Sequence, residues 1–126
     1  MRTNLSILLT ACLLAACGGA SQDDPVQPSI SITTTPNSLV MKAGTSTQLA
    51  AQAAVHNLAP GAGTPIYVAV DWALQETTAG ALSSPVADGE TFTVTYTAPS
   101  NPGVYHVVAR DRADSGVSSV VTVTVN

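Results

Sequence analysis

The chain has 126 residues, of which 45% are hydrophobic and only 10% are charged, and its formal net charge is −4. So many apolar residues can bury a core, and this argues against disorder over the whole length. The acidic balance supplies no basic surface for a polyanion, so we expect no nucleic-acid partner.

The first sixteen residues have the organisation of a secretory signal peptide. Residues 1–4 carry one positive charge, and residues 5–16 are an uncharged, mainly apolar run. Twelve helical residues extend about 18 Å, which is short of the roughly 30 Å hydrocarbon core of a bilayer. We therefore interpret residues 1–16 as a signal peptide that is removed, and not as a permanent membrane span.

The signal peptide ends in Leu14, Ala15 and Ala16, and Cys17 follows. Small side chains give a peptidase access to the backbone, and a thiol is a nucleophile that can accept a lipid group. The motif resembles the lipobox of bacterial lipoproteins, which implies that Cys17 carries a diacylglyceryl group and becomes the first residue. Two or more acyl chains anchor a protein stably, because each buried CH₂ contributes about 0.8 kcal/mol. The alternative is an ordinary secretory signal with a chance cysteine at its cleavage site.

Two further residues bear on this motif. Cys12 follows Thr10 and Ala11 inside the apolar run, so we expect it to be discarded with the signal peptide. Gly18 occupies the position where an aspartate tends to retain enterobacterial lipoproteins in the inner membrane. The resemblance therefore favours the outer membrane if the host is Gram-negative.

Residues 17–29 are rich in Gly, Ser, Asp, Gln and Pro and have little to bury, so we interpret them as a flexible linker. Such a linker has a root-mean-square reach of about 20 Å and an extended length of at most about 40 Å. The folded part is therefore expected to stay close to the membrane surface.

From residue 30 onward, apolar and polar residues alternate with a period of two, which is typical of half-buried antiparallel strands. Turn-forming pairs such as Pro60-Gly61 and Asp88-Gly89 separate the runs. The pattern predicts about seven strands, at residues 30–33, 38–41, 45–55, 66–74, 90–97, 105–110 and 119–125. Seven short strands without a convincing helix indicate an all-β sandwich.

One stretch is ambiguous. Residues 49–59 contain good helix formers and could form a helix. We predict a strand for the first half, because a sandwich needs an inner strand here and Pro60-Gly61 would leave a helix without a partner face.

Several segments together resemble bacterial immunoglobulin-like domains, the modules of surface proteins, adhesins and cell-wall-associated enzymes. The resemblance covers residues 30–126, and its most specific part is residues 96–109. The segments that carry it are 71–74 (DWAL), 80–82 (GAL), 95–99 (TYTAP), 102–109 (PGVYHVVA) and 120–125 (VVTVTV). It implies an immunoglobulin-like antiparallel β-sandwich of about seven strands. The segment of residues 57–65 is longer and richer in Gly and Pro than this family leads us to expect.

The resemblance also implies roles for three core residues. Trp72 would be the core tryptophan of a central strand, and the Tyr105 hydroxyl would bond back to the backbone across a corner. Val107 stands where an antibody domain carries a cysteine, so an apolar contact with Leu49 or Ala51 would replace the disulfide.

The sequence offers few groups for catalysis. His56, expected in a loop, and His106, expected to point outward from a strand, are the only histidines, and we interpret both as solvated imidazoles. Two separated histidines without a free cysteine do not make a zinc site. Asp71 and Glu76 are expected on an outer strand face and in a turn, not across a glycosidase cleft. Residues 61–63 lack the lysine of a phosphate-binding loop. We predict a protein that is not an enzyme and has no metal or cofactor.

Calcium is a further alternative. Asp111 and Asp114 lie in the last hairpin loop, but they do not have the spacing of an EF-hand loop. Arg110 and Arg112 would repel the ion. We therefore interpret this loop as a solvated turn with local charge pairs.

With catalytic and metal sites set aside, we expect the function to depend on the surface of the domain. Rows of Thr and Ser on the outer strand faces are either polar cladding or a binding face, and the long last strand, residues 117–125, could pair with another chain if it lay at an edge. The leading hypothesis is a lipid-anchored cell-envelope protein whose domain binds a surface protein or a glycan, or has a structural role. The alternatives are a subunit of a larger envelope assembly, such as a secretion or pilus apparatus, and an inhibitor or enzyme-associated domain.

Overall fold

The computed structural model describes residues 27–61 and 68–126. The signal peptide, the motif from Leu14 to Cys17 and most of the linker lie outside the described residues, as does the predicted start of a strand at residue 66. The two described ranges contain nine strands: β1 (Ser29–Thr35), β2 (Ser38–Met41), β3 (Ser46–His56), β4 (Val70–Leu74), β5 (Ala81–Leu82), β6 (Val86–Asp88), β7 (Thr91–Thr97), β8 (Gly103–Asp111) and β9 (Ser118–Val125).

The strands form two sheets, which confirms the predicted all-β sandwich. The first sheet has the order β1-β3-β7-β5, with β6 also beside β7, and the second has the order β2-β9-β8-β4. Every pair is antiparallel except β2 with β9. The parallel pairing arises because the chain crosses from the first sheet to the second between β1 and β2. Within the described ranges, no helix is long and apolar enough to cross a bilayer.

Alternating side chains from both sheets fill the space between them and form two clusters. We call them the Tyr96 cluster, which includes Leu49, Val94, Tyr96, Val107, Val121 and Val123, and the Phe92 cluster, which comprises Ile32, Ala51, Ala53, Val70, Phe92 and Ala109. A fully buried Val or Leu side chain contributes about 1.5–3 kcal/mol. The second cluster is built largely from alanines, so the single ring of Phe92 supplies much of its apolar surface.

The ambiguous stretch is a strand from its start to His56, where β3 ends, so the strand runs beyond the predicted first half. Each of its residues has a paired strand on at least one side, since β7 pairs with residues 46–52 and β1 with residues 50–56. Leu49, Ala51 and Ala53 all point into the core. Tertiary pairing therefore overrides the helix propensity of the alanines, and the helical alternative is wrong. The expectation that His56 lies in a loop is also wrong.

Trp72 differs from the expectation of a central strand. It lies on β4, which is the outermost strand of the second sheet among the described residues. Its side chain is half-buried and packs against both clusters. The indole Nε1 is buried without a hydrogen-bond partner in the part of the chain that is described. Trp72 therefore joins the two clusters at the side of the sandwich.

Tyr105 and Val107 lie on β8, which has neighbours on both sides. The Tyr105 side chain is 8% exposed, and its hydroxyl donates a hydrogen bond to the Asn101 carbonyl over 3.0 Å. Val107 is fully buried in the Tyr96 cluster together with Leu49, whereas Ala51 belongs to the Phe92 cluster.

The two ends of the sandwich carry different loops. The described chain begins near Ser29, which pairs with His56, and this end also has the β6–β7 hairpin and the β8–β9 loop, residues 112–117. We call it the chain-start end. The opposite end has the β2–β3 turn, the β4–β5 loop (residues 75–80) and the β7–β8 turn.

Candidate binding faces

The outer face of the first sheet is polar and almost uncharged. Hydroxyl and amide side chains cover it, and some bond to each other: Ser46 Oγ lies 2.8 Å from Thr97 Oγ1, and Ser31 Oγ lies 2.8 Å from His56 Nε2. We call this the hydroxyl face; its members include Ser31, Thr33, Thr35, Gln48, Gln52, Thr91, Thr93 and Thr95. Because these side chains form hydrogen bonds with each other and with water, the hydroxyl face is suited to contact with solvent.

The outer face of the second sheet is different, because it exposes valines. Val40 is 68% exposed, Val104 55% and Val120 43%. The register places them on one face: Val40 and Val104 lie on the two sides of Thr124. Val120 lies beside Val108, four residues along β9 from Thr124, and the polar row Ser38–Thr122–His106 lies between. We call the surface formed by Val40, Val104, Val108, Val120 and Thr124 the valine face.

Charged residues lie on β4 and β8 toward the chain-start end of the valine face. The Arg112 guanidinium donates to both carboxylate oxygens of Asp71, at 2.6 Å to Oδ1 from NH2 and 3.2 Å to Oδ2 from Nε. This hydrogen bond holds the pKa of Asp71 below its ordinary value and raises that of Arg112. The expected local charge pair within the turn is therefore wrong, because the turn's arginine crosses to another strand.

The two acids considered for calcium have separate structural roles. Asp111 is 1% exposed, and its Oδ1 accepts a hydrogen bond from the Ala113 N–H at 3.3 Å. Asp114 Oδ1 accepts from the Gly116 N–H at 2.9 Å, within the same turn. The prediction of a fully solvated turn is thus wrong for Asp111, which points inward because it continues the buried side of β8. Among the described residues, no group of three or more His, Cys, Asp or Glu could hold a metal ion.

At the other end, Glu76 and His106 form a pair that the sequence did not indicate. Glu76 Oε2 accepts a hydrogen bond from the His106 backbone N–H at 2.9 Å, and Oε1 lies 2.6 Å from the ring nitrogen Nδ1. Each side chain is about one-third exposed. The side-chain hydrogen bond to His106 lowers the pKa of Glu76. The expectation of a solvated His106 imidazole is therefore wrong, and the pair attaches the β4–β5 loop to the edge of the valine face.

This pair makes stability depend on pH in the acidic range. Because the folded-state pKa of Glu76 lies below its ordinary value of 4.5, its contribution is present above that value and is lost as pH falls through the lower folded pKa. We expect Glu76→Gln to show a smaller loss of unfolding free energy between pH 6 and pH 3 than the unchanged chain, measured by urea denaturation.

A double-mutant cycle with His106→Gln provides the control for this prediction. His106→Gln removes the side-chain hydrogen bond but leaves the backbone N–H of residue 106 bonded to Glu76 Oε2, so it should reduce the pH dependence only in part. The double variant should match Glu76→Gln, because without the carboxylate neither bond to it remains. Independent, additive reductions would show that Glu76 and His106 do not act as a pair.

No protein-family model and no curated protein matches the chain. Among solved structures, the adhesin InvE of Yersinia pseudotuberculosis matches 76% of this chain and 26% of its own length, with 15% identity and a TM-score of 0.52. The ICAM-5 D1–D4 ectodomain fragment matches 77% of this chain and 22% of its own, with 8% identity and a TM-score of 0.47. The chain thus spans about a quarter of either neighbour. The likeness to InvE establishes that the sandwich is immunoglobulin-like.

Proposed function

We propose that this chain is a lipid-anchored protein of the bacterial cell envelope whose immunoglobulin-like domain binds a partner through the valine face and catalyses no reaction. The valine face is the observation that carries the proposal. Soluble domains usually scatter their exposed apolar side chains singly, so several exposed valines on one sheet face indicate an interaction site. Here three valines on three adjacent strands are each more than 40% exposed.

The fold supports a binding role. A two-sheet sandwich holds the valine face on paired strands, so its side chains are positioned before a partner arrives and little order has to be gained on binding. InvE is an adhesin and contains a region of this fold. The hydroxyl face is the weaker candidate, because several of its polar groups already bond to each other.

The anchor is argued from the sequence. Leu14, Ala15 and Ala16 precede Cys17 in the arrangement of a lipobox, and the linker that follows enters the domain next to Ser29. An acylated Cys17 would therefore turn the chain-start end toward the membrane. The valine face, which runs along the side of the sandwich, would then stand roughly upright on the membrane surface.

One fractionation experiment tests both halves of the proposal. The full chain and four variants are expressed in a bacterium that processes lipoproteins and are labelled with a fatty acid. Before the membranes are isolated, the cells are treated with a photo-cross-linker that does not react through amines, so an added lysine does not change its yield. We expect Cys17→Ala to lose the label and its membrane retention almost completely, because no acyl chain remains. Cys12→Ala is the matched control and should keep both.

The binding half uses two lysine substitutions. Val104→Lys should stay in the membrane but lose at least about fivefold of its cross-linked partner, because a charge is then buried in an apolar contact. Thr33→Lys, on the hydroxyl face, should keep the partner. A label on Cys17→Ala would contradict the anchor, and equal losses in the two lysine variants would contradict the valine face.

A further inference from the structure

We propose that the partner of the valine face is a second copy of this chain, anchored in the same membrane and docked with its strands parallel. The inference rests on the proposed function and names its partner. Within the register of the second sheet, the exposed row Val40–Thr124–Val104 has β9 at its centre and a valine on each side. Because both ends of the row are valine, its chemistry is symmetric about β9, although the two valines come from different strands.

A twofold axis running along β9 uses this symmetry. Rotation about such an axis places β2 of one copy opposite β8 of the other and leaves β9 opposite β9. Val40 then meets the partner's Val104, and Val104 meets the partner's Val40. Further along the axis, Val120 meets the partner's Val120. One operation therefore matches all three exposed valines of each copy with valines of the other, as an isologous interface requires.

The charges also favour contact through this face. Among the described residues, the valine face and its margins carry Asp71 and Glu76 against Arg110 and Arg112, which balance. The remaining charged residues of the described domain are Asp88, Glu90, Asp111 and Asp114 against the single base Lys42. Two copies of an acidic domain therefore repel each other least when this face is between them.

The direction of the axis agrees with a shared membrane. An axis parallel to the strands keeps the chain-start ends of both copies on the same side, so both linkers can reach one bilayer. A twofold axis in the plane of the interface but perpendicular to the strands would also bring the two faces together, but it would put the two anchors at opposite ends of the dimer. The parallel arrangement is thus the one that satisfies both the valine register and the anchors.

The size of the face indicates that the association is weak. The four strands have four, eight, nine and five residues, and each residue covers about 4.8 Å by 3.3 Å, which gives a planar area of about 400 Å² per copy. A standard stable interface buries about 800 Å² per partner. We therefore expect association to require the high local concentration that anchoring to one membrane provides.

Site-specific cross-linking tests this geometry. Facing sheets pack about 10 Å apart, so a bismaleimide of that reach is used, with the two cysteine variants on differently tagged full-length chains expressed together. The pair Val40→Cys and Val104→Cys should give a mixed dimer, and Thr124→Cys alone should give a dimer with itself. Neither Val40→Cys nor Val104→Cys alone should do so above the background of the unchanged chain.

The hydroxyl face supplies a matched control. Thr33 and Thr91 lie on the two sides of Gln52, just as Val40 and Val104 lie on the two sides of Thr124. We expect at least about fivefold more mixed dimer from the valine pair than from Thr33→Cys with Thr91→Cys. Adding Val120→Lys to the valine pair should remove the excess, because it places two lysines together on the axis. Trp72 fluorescence checks that each variant folds.

Other results of the same experiment would overturn the inference. Equal yields from the two faces would mean random collision. Cross-linking to a different envelope protein would overturn self-association but leave the proposed function standing. Fatty-acid label on the same samples separates the two claims: a labelled chain without dimer overturns only the inference, and a dimer without label overturns only the anchor.

Discussion

Replacing Tyr96 with alanine is expected to lower the free energy of unfolding by about 3–5 kcal/mol, the range for losing a large aromatic from a core. Tyr96 has no solvent exposure and lies in the Tyr96 cluster between the two sheets. Its hydroxyl donates a hydrogen bond to the Ala79 carbonyl over 2.5 Å. Burial raises the pKa of this hydroxyl, so it stays protonated and remains a donor. Urea denaturation of the purified protein measures the loss.

Tyr96→Phe separates the ring from the hydroxyl. It keeps the packing but leaves the Ala79 carbonyl without its donor, so we expect a smaller loss of about 1–3 kcal/mol. A phenylalanine variant as unstable as the alanine variant would show that the hydrogen bond, and not the ring, dominates. Unchanged stability in Tyr96→Ala would contradict the described core.

Gly80→Ala should destabilise the domain by about 2–6 kcal/mol. A Cβ at this position would lie 2.1 Å from the Thr97 carbonyl oxygen, and that oxygen belongs to the backbone of β7 and cannot rotate away. Gly80 also has a φ of +106°, a conformation that residues with a side chain rarely adopt. Backbone strain of about 1–3 kcal/mol and forced repacking of about 1–3 kcal/mol add to this range. Thermal unfolding followed by circular dichroism measures the change.

Gly44→Ala is the control for that substitution. Gly44 also has positive φ, at +74°, but a Cβ there meets nothing within 4 Å. We expect it to cost about 1–2 kcal/mol, the strain of the left-handed conformation alone. If both glycine variants lost the same stability, the close approach of Gly80 to β7 would have no energetic importance.

The two large effects concern the same loop. Ala79 accepts the Tyr96 hydrogen bond, Gly80 packs against β7, and Glu76 reaches His106 on β8. The β4–β5 loop is therefore attached to both sheets. It borders the valine face at the end away from the proposed anchor, so loosening it should also disturb the margin of the proposed interface.

The longer strands could be predicted because burial on one side imposes a period of two. In β7, Phe92, Val94 and Tyr96 are buried and the threonines between them are not. The short strands β5 and β6, of two and three residues, could not be predicted in this way. Two or three residues contain less than two periods of an alternation, and these segments are strands only because β7 offers them hydrogen bonds.

The polar contacts were beyond prediction for a different reason. Glu76 and His106 are 30 residues apart, and Asp71 and Arg112 are 41 apart. Nothing in the local pattern relates such residues, because their meeting depends on which strand lies beside β8. Likewise, no local pattern distinguishes Val40 or Val104 from the other residues of its strand. It is the register that places both beside Thr124.

The sequence by itself determined the sandwich, the inward side of its long strands and the candidate acylation site at Cys17, because each depends on neighbours along the chain: an alternation or a short contiguous motif. Only the tertiary structure decided that the strand of Trp72 is the outermost of its sheet, that Asp111 is buried and that the exposed valines share one face. Strand order and register are set by the simultaneous fit of two sheets over one core. Residues far apart in sequence become neighbours only through that fit, so no local pattern encodes the surface they form.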